Sequence, residues 1–177
     1  MTSIIKVDEI QSKNGTSALT IDSSGRILQP AKPAFKMEMG VASGATNWGN
    51  HTDGHKFLPD TMRFNIGGHA EITATQGQFT CPVDGLYCMM YRLNFDSMAA
   101  AVYVNAYFML NNSPINGSRD RSGRNIEDPQ GGNYHTSNNT ELFQFSAGDV
   151  ISVNFFTHSD TSSNLRDGSV FQGYLVS

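Results

Sequence analysis

Beyond residue 33 apolar and polar residues alternate at every second position over long stretches, the period a half-buried β-strand produces. From Leu86 to Phe95 the odd positions Tyr87, Met89, Tyr91, Leu93 and Phe95 are apolar or aromatic, while Arg92 and Asn94 occupy the other face. The next run reverses the parity, with Val102, Val104, Ala106, Phe108 and Leu110 on a face opposite Tyr103, Asn105 and Tyr107. Phe143 and Phe145 alternate with polar neighbours, Ala147-Gly148-Asp149 reverses the chain, and Ile151, Val153 and Phe155 then point away from Ser152 and Asn154, which predicts a β-hairpin. A lone hairpin is marginal in water, so this one requires a partner sheet. Ser169 to Val176 reads as a closing strand, and no helical period or internal repeat is present.

The first 33 residues differ in character, for they contain no aromatic side chain. Ala18 to Ile21 and Arg26 to Leu28, joined by Asp22-Ser23-Ser24-Gly25, predict a small hairpin. Ile4, Ile5, Val7, Ile10, Leu19, Ile21 and Ile27 are too few to build a core, yet more than a solvated tail requires. The segment is expected to be an extended arm that orders by pairing with another chain through these residues. Pro30 and Pro33 punctuate it, which places a boundary near residue 33, with an arm over 1–33 and a domain over 34–177.

Residues 111–139 are rich in turn formers, including Asn116-Gly117, Asp128-Pro129 and Gly131-Gly132, and read as a surface loop with at most a short strand. A loop of that length in a compact domain is a candidate contact surface. Its Arg119, Arg121 and Arg124 form the local basic cluster, suited either to an anionic glycan or acidic neighbouring subunit, or to solvent alone.

Composition sharpens the class. With 17 glycines, 38% hydrophobic and only 16% charged residues among 177, the chain is expected to be all-β and to hold one domain plus a short arm. The net charge of −4 supplies no basic field for nucleic acid or an anionic membrane, and no apolar run is long enough to span a bilayer. The opening Met1 to Ile10 mixes charges with an apolar pair, so a secretory signal is not expected.

Chemistry is sparse. No Gly-x-Ser-x-Gly elbow or His-Glu-x-x-His motif occurs, and neither catalytic residues nor a cofactor are expected. His51, Asp53 and His55 alternate as metal ligands can, but Asp53-Gly54 is turn chemistry that would scatter them, so no metal is expected. Cys81 and Cys88 are read as free thiols, or as a disulfide if Asp84-Gly85 turns tightly between them. Asp149 beside Gly148 is assigned to turn hydrogen bonding rather than catalysis.

Four motifs then carry a resemblance. Phe64-Asn65-Ile66-Gly67-Gly68-His69, the stretch from Gly77 to Tyr87, Ala147-Gly148-Asp149-Val150 and Phe171-Gln172-Gly173-Tyr174-Leu175 resemble, in order and spacing, those of C1q-like domains, relatives of tumour necrosis factor. The resemblance implies a two-sheet jelly-roll sandwich of roughly ten strands that assembles as a homotrimer. Phe35, Phe79, Tyr87, Tyr91, Phe155, Phe171 and Tyr174 then belong either to the sandwich core or to the trimer seam.

The arm adds a second resemblance. Lys6 to Ile10, Ile21 to Ile27 and Pro33-Ala34-Phe35 are similar to the openings of bacteriophage virion proteins that end in C1q-like domains, head-decoration proteins and tail-fibre tips among them. It implies a non-enzymatic virion structural protein, a capsid decoration or cement protein whose arm docks on the major capsid protein or other virion subunits. The alternative is a tail-fibre or receptor-binding tip that recognises a host-surface glycan. Animal members of the family are secreted, often behind a collagen stalk; this chain shows neither a signal peptide nor a stalk.

Overall fold

The structure, a computed structural model, describes residues 7–15, 17–29, 32–40, 46–47, 54–98, 103–115, 124–127, 132–158 and 164–177. The arm is a three-stranded antiparallel meander, β1 (Glu9–Gln11), β2 (Ser17–Ile21) and β3 (Ile27–Leu28). Its β2–β3 turn is closed by the backbone of Gly25 donating to the Asp22 carbonyl, while the Asp22 carboxylate accepts from the backbone of Ser24 and Arg26 and from the Arg26 guanidinium.

The remainder is all-β, two antiparallel sheets with no helix among the described residues. Sheet one contains β4 (Ala34–Glu38), β5 (Thr46–Asn47), β7 (Thr61–Ile66), β10 (Gly85–Met98), β14 (Gly132–Phe145), β16 (Asn164–Leu165) and β17 (Val170–Leu175). Across it the order is β7, β4, β17, β10, β14, and β16 continues the β17 edge of β10 with β5 outside it. Sheet two contains β6 (His55–Lys56), β8 (Ala70–Ile72), β9 (Gly77–Thr80), β11 (Tyr103–Leu110), β12 (Ser113–Pro114), β13 (Arg124–Glu127) and β15 (Val150–His158), with β11 beside β15 at its centre.

The sheets pack face to face because the alternating positions point inward from both. Tyr87, Met89, Tyr91, Leu93 and Phe95 of β10 and Val104, Ala106 and Phe108 of β11 are fully buried, with Ile151, Val153 and Phe155 of β15. Aromatic pairs bridge the layers: Phe35 stacks on Phe79 with ring centroids 4.6 Å apart, Tyr91 meets Phe108 edge-on at 4.9 Å, and Phe95 meets Phe155 at 5.4 Å. The Tyr91 hydroxyl donates to the Ala106 carbonyl at 2.6 Å, so a buried phenol finds its partner on the opposite sheet.

Two expectations require correction. Phe143–Phe156 is strand, turn, strand, but not a hairpin: β14 pairs with β10 in sheet one, and β15 pairs with β11 and β9 in sheet two. The Ala147-Gly148-Asp149 turn is a corner between layers, a distinction that alternation cannot make because both strands point their apolar faces into the same core. The Asp149 carboxylate holds it, accepting from the Ser146 backbone and the Asn111 amide at 2.9 Å each, with Gly148 at φ +90°. Secondly, the long surface loop is shorter than expected. Residues 132–145 are strand, held along β10 by a ladder from Met98↔Gly132 to Gly85↔Phe145 that overrides the turn-forming composition. Both faces of β11 are covered, since Asn105 and Tyr107 are also buried and Tyr107 clusters with Met109 and Phe156 outside sheet two.

A candidate self-association surface

The face of sheet one turned away from the core is the feature that a single copy leaves unexplained. Strand register sets Ile66, Ala34, Tyr174, Cys88 and Leu142 side by side on β7, β4, β17, β10 and β14, each directly opposite the next. At strand spacings of ~4.8 Å this row extends about 19 Å. Ile66, Tyr174 and Leu142 are 43%, 51% and 56% exposed. A second row, Phe64, Lys36, Gln172, Met90 and Thr140, lies beside it, with Phe64 45% exposed and the Gln172 amide donating to the Met90 sulfur at 3.2 Å. An apolar band crossing a whole sheet marks an interaction site rather than scattered surface apolarity. Each such side chain contributes roughly 1.5–3 kcal/mol when fully withdrawn from water, and these start half-covered.

Further along the same strands the face becomes charged. A β-bulge opposite Lys36 and Met37 makes Arg63 the extra residue of β7, and its guanidinium reaches Glu38, which Lys36 also approaches at 3.5 Å. The hydrogen bond from Arg63 is the main reason that the Glu38 carboxyl lies below its ordinary range, against the opposing effect of partial burial. Arg92 donates to the Gly168 carbonyl, and Arg166 pairs with Asp96 at 3.4 Å. The face is thus apolar at the end nearest the arm and ionic at the other.

Close packing fixes the strands beneath the apolar rows. A Cβ on Gly173 would fall 3.1 Å from the Phe35 ring, 3.0 Å from the Cys88 carbonyl and against the Met89 sulfur, so only glycine lets β17 lie between β4 and β10. Cys88 is partly exposed in the apolar row, whereas Cys81 is buried below it, and both thiols are free. Burial, and secondarily the charge of Asp149, pushes the Cys81 thiol up to about 12. Cys88 raises the pKa of the Tyr174 hydroxyl, chiefly through the hydrogen bond between them.

Of the residues singled out from sequence as core or seam, Phe35, Phe79, Tyr87, Tyr91, Phe155 and Phe171 are buried between the sheets and only Tyr174 stands on the outer face. Val7, Ile10, Ile21 and Ile27 of the arm are exposed, Leu19 is half-buried, and Ile4 and Ile5 lie outside the described residues. Arg119 and Arg121 are also outside them, and Arg124 opens β13 opposite Tyr107. His51 and Asp53 are outside as well, while His55 begins β6 with its ring 5.6 Å from Phe155. No metal-ligand group of three occurs among the described residues.

Phe64, Ile66 and Cys88 were singled out from sequence for other reasons and Leu142 not at all, so none was expected on an outer apolar face. The signals were present: Leu142 precedes inward Phe143, and Leu86 to Tyr91 is continuously apolar, so both faces of those strands carry apolar side chains where a half-solvated sheet needs only one.

A family model described as the C1q domain matches residues 42–176. The globular domain of zebrafish complement 1qA protein superposes with a TM-score of 0.59 at 16% identity, covering 82% of this chain and 98% of its own. Murine APRIL, solved at pH 5.0, superposes with a TM-score of 0.54 at 12% identity, covering 82% of this chain and 99% of its own. No curated protein sequence matches the chain. At such identities the two structures establish the shared sandwich fold alone.

Proposed function

The chain belongs to the C1q domain family, and from that premise we propose that it is a non-enzymatic homotrimeric structural protein of a bacteriophage particle, decorating or cementing the capsid with its arm towards the shell and its head outward. Domains of this family are generally structural or binding modules, and they typically form homotrimers. The observation that carries the trimer is the apolar row Ile66, Ala34, Tyr174, Cys88, Leu142, which a second copy would cover. Three identical faces closing around an axis need no other component. Light scattering at micromolar concentration is expected to give the mass of three chains; a monomer mass would refute it.

The virion assignment is supported by the arm, whose Lys6-Val7-Asp8-Glu9-Ile10 and Ile21 to Ile27 segments resemble virion protein openings. Immunogold labelling should place the protein over the capsid surface. Deletion of residues 1–32 should abolish binding to capsids; full binding by the truncated protein would overturn the assignment.

A second reading, a tail-fibre tip that binds a host glycan, is favoured by a hollow of about 290 Å³ lined by Asn94, Phe95, His135, Thr136, Arg166 and Asp167. Its mixed donors and acceptors suit a hydroxyl-rich ligand. Gold confined to the tail would decide for this reading.

A further inference from the structure

Among the described residues, nothing covers one face of the arm. Register places Ile10 opposite Leu19 and Ile21 opposite Ile27, and Leu19 and Ile21 are two apart on β2, so the four share a side. Together with Val7 and Glu9 they line a hollow of about 90 Å³ to which, among the described residues, only the arm contributes. Ile27 is 66% exposed. On the opposite side Ala18 contributes, with Gln29, Lys32 and Pro33, to a groove of about 770 Å³ against Val83 and Leu175 to Ser177 of the head. One arm face therefore turns to its own head, and the isoleucine face does not.

We propose that the Ile10–Leu19–Ile21–Ile27 face packs against the same face of the two other arms, forming a three-sided apolar stalk beneath the head. The inference rests on the homotrimer proposed above. The arm leaves the head at the self-association surface: the Pro33 carbonyl accepts from the Leu175 backbone, Lys32 Nζ donates to the Val176 carbonyl at 2.7 Å, and the next residue, Ala34, stands in the apolar row. Closing three heads through that row brings three arm roots together, at effective concentrations of the order of millimolar, before an external partner can compete. Charge does not oppose it. The arm holds Lys6, Lys13, Arg26 and Lys32 against Asp8, Glu9 and Asp22, and Arg26 is already paired with Asp22 at 2.7 Å. The particle is then met by residues outside this hollow, and Ile10, Leu19, Ile21 and Ile27, expected from sequence to dock on the virion, lie between copies.

The test is an Ile27→Cys variant of the full chain with the native Cys81 and Cys88 kept, and Leu28→Cys as a control carrying the same two thiols, since Leu28 pairs with Thr20 on the other face. Under mild oxidation of the trimer, Ile27→Cys should form interchain disulfides, one linked pair per trimer on a non-reducing gel, and Leu28→Cys should remain mostly unlinked. A trimer whose Ile27→Cys thiol stays free and reacts readily with a maleimide would overturn the stalk and leave the face to an outside partner. Equal cross-linking of both variants would also overturn it. A monomer mass for the unaltered chain would remove the trimer and the stalk together, whereas a trimer without the selective cross-link removes the stalk alone.

Discussion

Tyr174 and Cys88 face one another across β17 and β10 on the outside of sheet one, and the hydrogen bond between their side chains is the main reason that the phenol titrates above its ordinary value. A phenol and a thiol paired there, flanked by Ala34 and Leu142, form the middle of a surface expected to be dry in the assembled protein.

Leu142→Asp, and separately Tyr174→Asp, should convert a three-chain mass to a one-chain mass at micromolar concentration, since each places a charge in a seam. Neither residue belongs to the core, so far-ultraviolet circular dichroism should be unchanged. A variant that stays trimeric would relocate the seam.

Thiol titration separates the two cysteines. With its pKa pushed up to about 12, Cys81 should not react in the folded protein at pH ~8. Cys88 should react slowly in the trimer and faster in the Leu142→Asp variant, and denaturant should release both. Two fast thiols in the native protein would contradict both placements.

Gly173→Ala should destabilise by about 1–3 kcal/mol, because the added methyl meets Met89, Phe35 and the Cys88 carbonyl in a packed sheet. That corresponds to a loss of roughly 2–4 °C in Tm per kcal/mol, measurable by thermal melting.

Asp149→Ala removes the acceptor of the Ser146 backbone and the Asn111 amide at the corner between sheets. A cost of about 1–3 kcal/mol is expected in urea unfolding, with Asp149→Asn recovering part of it. An unchanged midpoint would mean that the corner holds without its carboxylate.

Acid should weaken the charged end of the outer face. Glu38 has a folded pKa below its ordinary 4.5, so its contribution is present above 4.5 and is lost as pH falls through the lower folded value. Glu38→Gln should flatten the fall in stability in that window. The effect will be small, since the Arg63 side chain is 54% exposed.

The sandwich was legible because a period of two survives in β10, β11 and β15, where alternate side chains meet a dry core and the others do not. The motifs around Gly77 to Tyr87 and Phe171 to Leu175 then implied that the strands form a two-sheet jelly roll. Local pattern failed where distant pairing decides: Gly132 to Thr140 is strand because β10 supplies its ladder, and the chain from Phe143 to Phe156 changes sheets because two layers share one core. The outer apolar row was legible only in fragments. Its five members come from five strands, and register, which a single sequence does not display, is what aligns them.

β17 occupies the middle of sheet one between β4 and β10, yet it follows every other strand of that sheet in chain order. Phe35 and Met89 therefore wait in the nascent chain for a neighbour made after the rest of the sheet, and pairings such as Cys88↔Tyr174 close a long loop. Folding is expected to complete late and slowly, with apolar strand edges exposed meanwhile. Deletion of residues 172–177, where the Leu86 backbone donates to the Ser177 carbonyl, should reduce soluble yield far more than deletion of residues 1–6.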